Sequence, residues 1–88
     1  MNPIQEKVIK IIEPLKGFID LEVKNLHAEM IRQTQRLTAR NSELRIGHIY
    51  WLLRSFIANN NVSIKLLDAL IKIQLELDDV IHQRTNGD

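Results

Sequence analysis

Residues 63–84 read Ser-Ile-Lys-Leu-Leu-Asp-Ala-Leu-Ile-Lys-Ile-Gln-Leu-Glu-Leu-Asp-Asp-Val-Ile-His-Gln-Arg, and whether this stretch is helix or strand decides the fold. From Ile71 to Asp78 apolar and polar residues alternate strictly, as on a half-buried strand, and Ile19–Lys24 does so more briefly. Against that, Leu66, Leu70, Ile73, Leu77 and Val80 fall at four-three-four-three spacing, the seam of a coiled coil. The alternating residues are mostly Leu, Ile, Lys, Gln and Glu, and no turn residues bound them. The spacing therefore predicts a helix over 63–84 and an all-α chain.

Ser63 supplies the N-cap of that helix, with Val62 placed to contact Leu67 as a hydrophobic staple. Upstream, Asn59, Asn60 and Asn61 predict a turn, because Asn tolerates left-handed backbone angles and favours local side-chain bonds. A helix over 43–58 precedes it, opened by Asn41 and Ser42 and carrying Ile46, Ile49, Leu53 and Phe56 on its main face. At the N-terminus, Asn2 followed by Pro3 reads as N-cap and first helical residue, giving a helix over 3–13. Pro14 interrupts it, since an interior proline removes a backbone bond and clashes with the preceding turn. The reading is a kink or a break there, followed by a helix over 15–39. Thr85–Asp88 is expected to fray.

The chain of 88 residues is then one helical domain, a helical hairpin or small bundle with a Pro14-kinked N-terminal helix. Of its residues 44% are apolar, 29 being Leu, Ile or Val and only four aromatic. Turned at 100° per residue, the last helix shows one apolar face along Leu66, Leu70, Ile73 and Leu77 and a neighbouring one along Ile64, Leu67, Ile71 and Leu75. A helix in a small bundle needs one such stripe, so the surplus predicts a homo-oligomer, most simply a twofold dimer, meeting along Leu66, Leu70, Ile73 and Leu77. Adjacent aromatics on a helix cannot enter one core together, which makes Trp51, beside Tyr50, a candidate contact residue.

The formal charge is +1, so no bulk field recruits nucleic acid or anionic membrane. Locally the balance is uneven: residues 1–31 carry −1, residues 32–64 carry +4 and residues 65–88 carry −2. Arg32, Arg36 and Arg40 stand four apart, which on a helix over 15–39 makes a ridge about 12 Å long. Such a ridge suits acids of a neighbouring helix (Glu76, Asp78, Asp79), the acidic surface of another protein, or nucleic-acid phosphates. The last helix is too apolar to serve as a recognition helix in a major groove.

Catalysis finds no constellation. There is no cysteine, which excludes a disulfide framework, a thiolate metal site and a thiol nucleophile and is compatible with the cytoplasm. No glycine-rich phosphate loop or nucleophile elbow occurs. Among His27, His48 and His82, only His82 has a carboxylate three residues ahead, Asp79, so neither a metal nor a cofactor is expected. The longest apolar run, Ile49–Leu53, is far short of the roughly 20 residues of a membrane span, and charges break up any signal-like N-terminus. Leu15-Lys16-x-x-Ile19-Asp20, with the chain length and helix count, loosely resembles the helical chorismate mutases, whose intertwined dimers build sites from Arg, Lys and Gln or Glu on several helices. The continuation departs from that family at Glu22 and Val23, and no later Arg-Glu pair follows, so a small helical isomerase is only a remote alternative. The reading is a non-enzymatic interaction module that self-associates and binds another protein, with nucleic-acid binding as the alternative and Arg32, Arg36, Arg40 and Trp51 as contact residues.

Overall fold

The computed structural model describes residues 2–86, with side chains through residue 82. Four helices form, α1 (Pro3–Ile12), α2 (Leu21–Gln35), α3 (Ser42–Asn59) and α4 (Ile64–Asn86), with a 3-10 turn over Glu13–Gly17 after α1. No strand occurs among the described residues, and Ile71–Asp78 lies within α4. The frayed end expected over Thr85–Asp88 is helical to Asn86, and its last two positions lie outside the described residues.

Each helix packs on the next and α4 closes back on α1, giving a ring of four around one core. Its radius of gyration, 12.6 Å, is near the about 12 Å of a compact chain of this length. α1 begins as its sequence dictates. Asn2 Oδ1 accepts from the Gln5 backbone N–H at 2.8 Å, and Gln5 Oε1 accepts from the Asn2 N–H at 3.0 Å, a reciprocal capping box with Pro3 just inside. At Pro14 the chain breaks rather than kinks: a 3-10 turn and an extended connector over 18–20 separate α1 from α2, and Leu15 drops into the core.

α2 is shorter than expected at both ends. It starts at Leu21, not residue 15, and stops at Gln35, not residue 39. The stop has a tertiary cause. Leu37 is buried, which pulls the backbone out of helical register, and the Arg36 and Leu37 N–H groups fall back on the carbonyls three residues earlier. The carbonyls left over are capped from across the bundle: Gln5 Nε2 donates to Gln35 O and Leu37 O, and Asn2 Nδ2 to Leu37 O, at 3.1–3.2 Å. Asn41 then holds the α2–α3 turn by bonds to Thr38 and to the Arg36 carbonyl.

At the α3–α4 turn, the Asn59 and Asn60 side chains donate to the Ser55 and Phe56 carbonyls. No described residue has positive φ, so these asparagines act through their amides and not through left-handed backbone. Ser63 caps α4 as expected, its Oγ accepting from the Leu66 N–H at 3.2 Å.

The assignment of Leu66, Leu70, Ile73 and Leu77 to a subunit contact is corrected. All four are buried inside the single chain, among Val8, Ile12, Met30, Ile46 and Leu53. Covered by α1 and α3, they leave nothing exposed for a second copy. On α4 the apolar surface left uncovered is the other stripe, where Ile64 is 89% exposed, Ile71 45% and Leu75 59%.

Candidate functional site

The early end of α2 dismantles the arginine ridge. Arg32 stands on the last turn of α2, Arg36 is its C-terminal cap, and Arg40 lies in the turn beyond, so the three share no helical face. Arg32 is paired on its own helix with Glu29, its Nε donating to Oε2 at 2.8 Å and its Nη2 contacting the same oxygen. Arg36 and Arg40 are exposed and form no salt bridge among the described residues. The expected partners Glu76, Asp78 and Asp79 are elsewhere. Glu76 and Asp79 face Lys7 and Lys10 across the α1–α4 groove, and Asp78 Oδ1 lies 3.7 Å from His82 Nδ1.

A polar cluster that sequence reading missed ties α2 to α3. Gln33, buried although polar, accepts from Arg45 Nη1 and donates to Glu29 Oε1, both at 3.2 Å. Bonds from Arg32 and Gln33 hold the Glu29 carboxyl below its ordinary pKa. Arg45 Nε is buried without a partner among the described residues. Glu29 and Gln33 stand four apart on α2, but Arg45 lies twelve residues further on across a turn, a separation that no local pattern signals.

Trp51 stands on the outward face of α3. It is 64% exposed, whereas its neighbour Tyr50 packs against the core with the Arg54 guanidinium 6.0 Å from its ring centroid. Leu44, 77% exposed, lies two turns before Trp51 on the same side, and Ala58 two turns after, a stripe about 21 Å long. Trp51, Arg54, Ser55, Ala58 and Asn59 border a shallow depression of about 320 Å³. An adjoining open groove between α2 and α3, about 430 Å³, shares Ser55 and Asn59 and is lined by Glu22, Asn25 and Glu29 on its α2 side.

No histidine lines these depressions; Ser55 shares the α2–α3 groove with Glu22 and Glu29, and Ser42 stands beside Glu43. No cluster of three metal-ligating side chains exists among the described residues. The Leu15–Asp20 segment that loosely resembles the isomerase motif is a 3-10 turn and extended connector, with Ile19 87% exposed, so it forms no helical wall of a site. No helix of the described residues is long and apolar enough to cross a membrane. No protein-family model, curated protein or solved structure matches this chain.

Proposed function

We propose that the protein is a small non-enzymatic interaction module that self-associates and binds another protein through the outward face of α3. The observation that carries the reading is Trp51, the only tryptophan of the chain, held out in solvent on a well-packed helix while Tyr50 goes inward. A large aromatic on a rigid element is the usual anchor of a binding hot spot. Arg54 flanks Trp51 and Arg40 is exposed in the turn before α3, so the partner that fits is an apolar surface with an acidic rim.

Capture experiments with purified, tagged protein test this. The Trp51→Ala variant and the Arg36→Glu/Arg40→Glu double variant should lose the partner while their circular dichroism remains that of the wild type. Binding should also shift Trp51 emission to shorter wavelength as the indole leaves water. Capture unaffected by both variants would remove this surface from the reading. Nucleic-acid binding keeps only Arg36 and Arg40, which form no salt bridge among the described residues, in its support; a mobility shift at low salt that falls steeply with added salt would replace the protein partner by a nucleic acid.

A further inference from the structure

The outer stripe of α4 carries an instruction in its charges. Ile64, Ile71 and Leu75 are exposed on the side of the helix opposite the buried Leu66–Leu77 stripe, with Leu67 half-buried at their edge. Among the described residues no side chain closes over this stripe. We infer that a second copy of this chain covers this stripe, with the two α4 helices antiparallel about a twofold axis crossing each near residue 70. The inference rests on the self-association part of the function proposed above and specifies its face and direction.

Charge complementarity selects the direction. An antiparallel pair centred at residue 70 lays Ile64 against Leu75 of the second copy, sets Lys65 beside its Glu76 at the rim of the α1–α4 groove that Glu76 shares with Lys7 and Lys10, and sets Asp68 opposite its Lys72. Asp68 and Lys72 already pair along the chain at 3.3 Å, so the axis brings that pair against its own copy with signs reversed, a closed cluster of four alternating charges. Ile71 falls beside the axis and meets Ile71 of the other copy. Parallel pairing in register would instead place Lys65 on Lys65, Asp68 on Asp68 and Glu76 on Glu76. One stripe of one helix covers less than the roughly 800 Å² per partner of a standard interface, so the dimer is a weak one that dissociates on dilution.

Sedimentation velocity from micromolar to millimolar protein should show a monomer passing to a dimer. Ile71→Lys/Leu75→Lys should abolish the dimer, and since both side chains are exposed the fold should survive, as circular dichroism will check. Lys65→Glu and Glu76→Lys should each weaken association about three- to tenfold, and together restore it, because the swapped charges attract again across the axis. The chain has no cysteine of its own, so Ile64→Cys mixed with Leu75→Cys should give a disulfide-linked heterodimer on oxidation, with neither variant linking to itself. A dimer indifferent to Ile71→Lys/Leu75→Lys, a double charge swap that fails to restore association, or self-linking of Ile64→Cys overturns this face and direction while leaving self-association standing. A monomer at every concentration overturns both.

Discussion

α4 presents two apolar stripes of nearly the same composition, and they meet opposite fates. Leu66, Leu70, Ile73 and Leu77 are buried; Ile64, Ile71 and Leu75, half a turn away, lie in water. Hydropathy cannot separate them, since both are Leu and Ile at helical spacing. What separates them is the flank: the inner stripe is bordered by small or apolar residues such as Ala69, Val80 and Ile81, whereas the outer one runs through Asp68, Lys72 and Asp79. A face that must enter a core cannot carry charges within it, so the charged flank marks the side left outside. The same division falls between two consecutive residues of α3, where Tyr50 packs inward and Trp51 does not.

The sharpest way to break this comparison is to shorten one side chain on each face. Leu70→Ala removes a fully buried side chain and should cost about 2–5 kcal/mol in urea unfolding. Leu75→Ala, measured at protein concentrations where the chain is monomeric, should cost under about 0.5 kcal/mol. Comparable losses at the two positions would mean that the outer stripe is covered within one chain after all. On α3, Tyr50→Ala should destabilise by about 1–3 kcal/mol through lost packing, with Trp51→Ala again within about 0.5 kcal/mol.

A smaller effect sharpens how the inner face is closed. Asn2→Ala removes a helix cap and also one of the donors that satisfy the Leu37 carbonyl, so about 1–2 kcal/mol should be lost. Unfolding of the Gln5→Ala variant should show a similar loss, and the double variant less than the sum, because the two side chains serve the same carbonyl and the same capping box. Full additivity would show that the two caps act separately.

These cross-bundle bonds explain what the sequence displayed and what it hid. The starts of α1 and α4, the extent of α3 to within a residue or so, and an interruption at Pro14, though not whether it kinks or breaks the helix, all follow from residues adjacent to the features they set: Asn2 with Pro3, Ser63, and a proline without a donor. The C-terminus of α2 depends on Leu37 entering the core and on amides some 30 residues earlier in the chain, and no local pattern around Gln35 announces it. The Arg32, Arg36 and Arg40 ridge needs a helix extended past residue 39, and α2 ends at Gln35. Trp51 as the outward member of its pair was legible, since adjacent helical residues diverge by 100°. The Gln33–Arg45 contact was not, because it joins two helices whose relative rotation only packing fixes.

The smallest effect concerns a polar group caught at the boundary between inside and outside. His27 is half-buried on α2, and its Nε2 is buried without a hydrogen-bond partner among the described residues. Burial first, and then the nearby Lys16 ammonium, push its pKa below the ordinary 6.5, with Glu13 opposing. The unfolded chain therefore takes up this proton first as the solution is acidified. Stability is full above about pH 6.5, declines as pH falls from there toward the lowered folded value, and loses nothing more to this group below it. The urea midpoint should fall between about pH 7 and pH 5.5 in the wild type, and less in His27→Gln, whose side chain does not titrate. A wild-type slope in His27→Gln would mean that the imidazole sits in water, and the inner boundary of α2 would have to be drawn on the far side of it.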